Sequence, residues 1–474
     1  MAAGAGCGVR PSGAPARAAC CSTPEGGDRR RPYRLDIVQD TGAYLRLGGF
    51  LPFLTSLMAA GPYDIGHVET AYRVVVTNAT PINAYRGAGR PEATAAIERA
   101  MDLFAAEIGM DPAEVRRRNL IPADKFPYQS PCGARYDTGD YIGALDKVLA
   151  GAGYAGLRAE QARRRERGDV VQLGIGVSSY VEITAADADN GETARLEVRD
   201  DGAATVYTGS CPHGQGHNTA WAMLVQDDLG IPMDKVTMIH GDTDLIPLGT
   251  GTYASRSLQL GGIAVHRAAL DVKDQGRRLA ASLLEASETD LELDTERGLW
   301  HVRGDPASGR TWGEVARHAG ADGLAASVHH TDATPTFPFG AHLAVAEVDT
   351  ETGKVTLVRH VSVDDAGTVL NPVLAEGQRH GGIAQRGGAG AARGVRLRRR
   401  RQPAHRESRR PHPARPFRAR GGRADGGQRR LRHKLLRIVH DPARRAVGEV
   451  VHRAGRAGRR APGRDGGRAG QRAG

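Results

Sequence analysis

The stretch LEVRDDGAATVYTGSCPHGQGHNTAWAMLVQDDLG, residues 196–230, decides the fold class. Leu196–Val198 and Thr205–Tyr207 are β-prone and flank Asp201-Gly202, the turn pair of a hairpin. A glycine-rich turn, Gly209–His217, then feeds a helix predicted over His217–Leu229, with Trp221, Leu224, Val225 and Leu229 as its apolar face and Gly230 as its end. β-rich Val236–His240 follows. Farther on, Ala344–Val348 and Val355–Val358 flank a Thr-Glu-Thr-Gly turn in the same way. Hairpins alternate with single helices rather than in a βαβ rhythm, so the fold class is α+β. No internal repeat of solenoid period is present.

Upstream, Pro91–Gly109 reads as a helix. Its proline suits the first turn, Ile97, Met101, Phe104 and Ile108 recur at three and four, and Gly109 stops it. Asp111-Pro112-Ala113-Glu114 starts the next helix in a capping-box arrangement. The Arg-rich stretch Gly151–Asp169 reads as a surface helix and linker between two halves.

The chain has 474 residues, 40% of them hydrophobic, and a formal net charge of +11. That charge is not evenly spread. Residues 386–474 hold 27 Arg and one Lys against five acids, whereas residues 34–385 are acidic, at −15. Three zones follow: an atypical leader (1–33), a globular body (34–385) and an Arg-rich low-complexity tail (386–474) expected to be disordered. The body's acidity argues against nucleic acid as its partner, except through the basic tail. Five cysteines without a Cys-x-x-Cys pair supply no structural zinc or iron–sulfur ligand set and suit a reducing cytoplasm. The most apolar run, Leu47–Gly61, is interrupted by Pro52 and glycines and falls short of the roughly 20 residues of a membrane span.

Three segments carry candidate chemistry. In Gly209–His217, Gly214 and Gly216 permit close backbone approach at a helix start, where free N–H groups favour an anion; a plain glycine turn reads equally well. His213 and His217 are four apart, but the glycines place His213 off the helix and no Glu lies between them, so no metal site is assigned. In His240–Ser257, Asp242 and Asp244 read as turn caps, while Gly-Thr-Gly-Thr and Ser255-Arg256-Ser257 lay out hydroxyls and a guanidinium at the start of a long helix, as an anion cradle would. Ala84–Arg90 is a third glycine loop entering a helix. Its two arginines could hold phosphates or pair with surface acids. Three such loops in an acidic body ask for an extended polyanionic ligand.

Taken together, DIVQDTGAY (Asp36–Tyr44), AYRGAGRPEA (Ala84–Ala93), PHGQGH (Pro212–His217), HGDTD with GTGTYASRS (His240–Ser257), and VDDAGTVLNP with EGQRHGGIAQ (Val363–Gln385) resemble, in order, the molybdenum-binding large subunit of the xanthine dehydrogenase/aldehyde oxidase family. Within it they are most similar to the carbon-monoxide-dehydrogenase-like large chains. The resemblance implies two molybdopterin-binding domains, with residues 34–150 the C-terminal part of the first and 170–385 an incomplete second. It implies a molybdopterin cytosine dinucleotide lying across both. Arg86 and Gly87 would line the molybdenum side, and Gly214, Gln215 and Gly216 would contact the pterin. Ala254, Ser255 and Ser257 match a second cofactor loop and Gln385 a third, while Ala88, Tyr180 and Glu182 fall at the substrate pocket. The family hydroxylates its substrate with oxygen from water, a glutamate acting as general base, and passes electrons to iron–sulfur and FAD partner subunits.

The departures from the family carry their own expectations. Gly87 stands where carbon monoxide dehydrogenases hold a copper-ligating cysteine, and Ala88 where purine hydroxylases tend to carry an aromatic. An aldehyde, heteroaromatic or similar small organic substrate is therefore expected, with carbon monoxide as the alternative. Relatives begin well upstream of this chain. After Gln385 they continue to a Gly-x-Gly-Glu loop that supplies the base, where this chain turns to Arg/Gly/Ala text and offers only Glu449, in different surroundings. The chain is thus expected to be an inactive fragment with its tail read out of frame; the competing reading makes the tail a nucleic-acid-binding module.

Overall fold

A computed structural model describes residues 33–185, 191–331, 334–392 and 448–453, the last segment and residues 386–392 by their backbone only. In chain order come β1 (Tyr33–Asp40), α1 (Leu51–Leu57), β2 (Val68–Val75), α2 (Arg90–Glu107), α3 (Pro112–Asn119), the short pair β3 (Tyr128–Gln129) and β4 (Arg135–Tyr136), α4 (Tyr141–Ala152) and α5 (Tyr154–Arg167). There follow β5 (Val171–Val181), β6 (Glu192–Val198), β7 (Ala204–Thr208), α6 (His217–Leu229), β8 (Val236–Ile239) and α7 (Ile263–Leu284). The remainder are β9 (Leu291–Asp294), β10 (Leu299–Val302), β11 (Asp305–Thr311), α8 (Trp312–Ala319), β12 (Leu324–His330), β13 (Phe339–Asp349), β14 (Val355–Asp365), α9 (Pro372–Ala392) and β15 (Gly448–Arg453). The fold is α+β.

Two four-stranded sheets organise it, in orders β15-β14-β13-β5 and β12-β6-β7-β8. Both expected hairpins form. Gly202, at φ +80°, turns β6 into β7, and Gly353, at φ +73°, turns β13 into β14. The Asp349 carboxylate accepts the N–H of Thr352 at 2.8 Å and so tightens the second turn. Helix α6 forms over the predicted residues and buries Trp221, Ala222, Val225 and Leu229, with Leu224 only partly covered. It packs with α7 on the second sheet, where Gly276 is dictated by its neighbour: a Cβ there would lie 2.6 Å from the Trp312 ring.

Three local readings change. At Asp111 the carboxylate caps α3 by accepting the Ala113 N–H at 2.8 Å, but Glu114 pairs with Arg117 and Arg118 instead of reaching back, so a complete capping box appears at Thr311/Glu314 and not here. The compositional division near residues 151–169 does not bound the first apolar core, although the buried residues of a second core all lie within residues 194–324. One apolar cluster joins Met58 through Ala152 to Leu173–Val181, Phe337–Leu343 and Val361–Val363, because α4 packs across β13 and β14. The compositional break at Gln385 is no structural border either. Helix α9 runs on to Ala392, and Gly448–Arg453 pairs antiparallel with β14. The rest of the tail and the leader before Tyr33 lie outside the described residues.

Candidate functional site

The loop Ala84–Arg90 owes its path to three consecutive positive φ angles, +97° at Gly87, +40° at Ala88 and +92° at Gly89. Gly89 also needs its bare Cα, since a Cβ would sit 2.8 Å from the Leu51 carbonyl oxygen. The two arginines of the loop separate in role. Arg90 is buried: its Nε donates to Glu182 Oε1 at 2.6 Å and its Nη1 to the Ala88 carbonyl at 2.9 Å. Burial pushes the Glu182 carboxyl up, against the pull of Arg90. Arg86 is exposed and only loosely held, 3.5 Å from the Gln378 carbonyl and side-chain oxygens on α9.

In the second loop Gly214 (φ +100°) and Gly216 (φ +86°) carry the chain into α6. Gln215 closes on its own loop, accepting the His213 N–H and donating to His217 Nε2 at 3.0 Å. That leaves His217 Nδ1 to donate to the Ser210 carbonyl at 3.4 Å, and the ring stacks on Trp221. Burial lowers the His217 pKa, consistent with this neutral tautomer. His213 goes elsewhere, to the Thr252 carbonyl at 3.3 Å, so the two histidines share no ligand position. Asp242 caps its turn through the N–H of Asp244 at 3.0 Å, as expected.

The third loop holds Ala254 and Ser255 at φ +50° and +54° and enters a π-helical turn, Ser257–Gly262, that leads into α7. Ser255 is exposed, while Ser257 is buried and donates to Thr252 Oγ1 at 3.0 Å. Arg256, read from sequence as part of an anion cradle, is instead 1% exposed and pairs inward with Glu192. Neither Glu192 nor the Arg90–Glu182 pair was legible in the sequence, since no local pattern marks a partner 92 residues away, as Glu182 is from Arg90.

These segments close a ring. Loop 84–90 meets residues 182–183 through Arg90; the Ala185 N–H donates to the Ala254 carbonyl at 3.0 Å; Thr252 meets His213; Gly216 abuts Leu374 of α9; and Gln378 of α9 returns to Arg86. Gly382 and Gln385 continue the Gln378 stripe along α9, and Gln385 is exposed. Tyr180 and Glu182 tie into the ring's frame, Tyr180 donating to Asp364 Oδ1 at 2.7 Å. Among the described residues five non-glycines have positive φ, and Ala88, Ala185, Ala254 and Ser255 all sit in this ring. Strain concentrated at one place makes this ring the candidate site. Three helical starts border it, at Gly89, Gly216 and Arg256, and at none does the first residue's side chain cap the N–H groups. Uncapped donors with the positive end of a helix dipole suit a phosphate-bearing ligand.

Two cofactor-binding domain models match the chain across these loops. A molybdopterin cofactor-binding domain matches residues 147–393 and another matches residues 31–120. The chain belongs to the molybdopterin cofactor-binding domain family. It is 34% identical to the carbon monoxide dehydrogenase large chain of Hydrogenophaga pseudoflava over 77% of its own length and 47% of that protein's. It is 35% identical to the 6-hydroxypseudooxynicotine dehydrogenase complex subunit gamma of Paenarthrobacter nicotinovorans over 74% and 45%. Among solved structures it is similar to quinoline 2-oxidoreductase from Pseudomonas putida 86, with a TM-score of 0.68 at 31% identity over 75% of this chain and 47% of that one. The Cu,Mo-CO dehydrogenase gives 0.67 at 33% over 74% and 47%. The chain spans about half the length of the curated relatives it matches. No described helix is long and apolar enough to cross a membrane.

Proposed function

We propose that this chain is the molybdopterin-holding part of a molybdenum hydroxylase large subunit, taking the cytosine dinucleotide form of the cofactor and acting in the cytoplasm with iron–sulfur and FAD partner subunits. The observation that carries the reading is the ring of three uncapped helical starts around exposed Arg86. When bound, the molybdenum centre supplies two-electron oxidation with oxygen from water. The chain's own part is to bind and orient. Arg86 offers an exposed cation, the N–H groups about Gly87, Gly214, Gln215 and Gly216 and those about Ala254, Ser255 and Ser257 offer donors, and Gln385 lies on the Arg86-facing stripe of α9. Ala88, beside Arg90 and Glu182, borders the substrate side, and Tyr180 and Glu182 brace it.

The substrate class is an aldehyde, N-heteroaromatic or similar small organic molecule. Copper-assisted carbon monoxide oxidation is disfavoured because Gly87 offers no thiolate to ligate copper, and a Cβ there would lie 2.5 Å from Pro91 Cγ at a φ of +97°. No Gly-x-Gly-Glu sequence is present, and Glu449 stands on β15 opposite Val363. The chain alone is therefore proposed to be inactive, and the Arg-rich text after Gln385 to be read out of frame; RNA binding, if any, would come from that text. Expression in a host that makes the cofactor tests the reading: bound molybdenum and one released cytidine monophosphate per molybdenum are expected. Absence of both overturns it, and dye reduction by the chain alone would overturn its inactivity. Translation of the coding DNA in the other frames after Gln385 should restore family-like sequence.

A further inference from the structure

The carboxylate of Glu192 is 1% exposed and sits where two glycine loops touch backbone to backbone. A Cβ at Gly209 would lie 2.5 Å from Gly249 Cα and equally close to Glu192 Oε1, so the two strands of chain are pressed together over this side chain. Its Oε2 accepts from Ser210 Oγ of loop 209–217 and from the Gly251 N–H of loop 249–257, both at 3.2 Å, and lies 3.7 Å from Arg256 Nη1. Its Oε1 accepts the Thr193 N–H at 3.0 Å. Arg256, likewise 1% exposed, donates Nη1 to the Gly251 carbonyl at 3.3 Å and Nη2 to the Gly191 carbonyl, which also accepts from Thr250 Oγ1 at 3.0 Å. Arg256 Nε has no hydrogen-bond partner among the described residues.

A buried charge with a single partner is costly, and it persists where its removal would leave several groups unsatisfied. Here the groups belong to both loops, and the strained pair Ala254-Ser255 immediately precedes Arg256. We propose that Glu192 and Arg256 are positioning residues: their buried pair fastens loop 209–217 to loop 249–257 and holds both in the conformation that presents their N–H groups to the ligand. The inference rests on the function proposed above for its ligand, but the fastening itself does not. Neither residue touches the open side of the ring, so both act through the backbone they hold.

Amide hydrogen exchange of the full cofactor-free chain tests the fastening. Glu192→Gln, which keeps acceptors but removes the charge, should raise exchange by about tenfold in residues 210–217 and 250–257 together, the scale of a hydrogen bond to a charged group. The strands β13 and β14 should be unchanged. Should Glu192→Gln fail to fold, Ser210→Ala still decides the matter: a change confined to loop 209–217 should raise exchange in loop 249–257 by about threefold. Unaltered exchange in residues 250–257 for the folded variant overturns the proposal. Molybdenum content after expression in a cofactor-making host is the second readout and should fall at least about fivefold in Glu192→Gln, with Glu98→Gln, in the other core, as the control for general destabilisation. Loosened loops with full molybdenum content would overturn the role toward the ligand; a wild-type chain without molybdenum would instead sink the function proposed above and leave the exchange result standing.

Discussion

Arg90 Nε and Glu182 Oε1 lie 2.6 Å apart, in a pair that fastens the Ala84–Arg90 loop to the residues following β5. The Arg90 side chain is 8% exposed and that of Glu182 24%. Removing one partner of such a pair strands the other in a poorly solvated place. Glu182→Ala is expected to cost about 3 kcal/mol, and Arg90→Met/Glu182→Leu together less than the sum of the single changes. Urea unfolding of the four proteins in a double-mutant cycle checks this.

Arg86 and Arg90 should part company under substitution. Arg86 is exposed and loosely held, so Arg86→Ala should change stability by no more than about 0.5 kcal/mol while sharply lowering cofactor content. Arg90→Ala should lose both. Thermal midpoints read beside molybdenum per chain separate the two.

Asp364 predicts an acid transition. Burial by itself would raise its carboxyl, but the hydrogen bond and charge of His342, together with Tyr180 and Arg379, bring it down to about 2, from an ordinary 3.8. A folded-state value below the unfolded one gives stability that is present above about pH 4 and is lost as the pH falls toward 2. The contribution is about 2 kcal/mol. Asp364→Asn should lower the thermal midpoint near neutral pH and flatten its fall between pH 4 and 2.

Glycines of the ring should differ in kind. Gly89→Ala meets the Leu51 carbonyl and the Thr55 N–H at a φ of +92°, so a loss of about 3 kcal/mol is expected. Gly214 shares the left-handed backbone, but nothing lies within 4 Å of a Cβ there. Gly214→Ala should cost only about 1 kcal/mol and show chiefly in ligand uptake. Calorimetry with molybdenum analysis distinguishes them.

Much of this was legible in the chain text, and for a physical reason. Helix α6, both hairpins and the three glycine loops depend on side-chain periodicity and on φ preferences, which act over a few residues, so residues 196–230 sufficed for the fold class. The same text could not say that α4 crosses β13 and β14 to join the first half and those strands in one core beside a second core around α6 and α7, nor that Gly448–Arg453 adds an edge strand. Loop composition alone did not separate the two arginines of Ala84–Arg90; the family resemblance singled out Arg86, while Arg256 was read as an outward cation.

Sequence by itself therefore determined which segments bend, which form helices and which present free N–H groups, since backbone conformation is a local property. Tertiary structure alone decided which charges stay exposed at the ring and which are consumed in holding the frame. Arg86 stays open, while Arg90 is taken by Glu182 and Arg256 by Glu192. Partner choice for a buried charge depends on what distant parts of the chain bring within a few ångströms of it, and no periodicity records that.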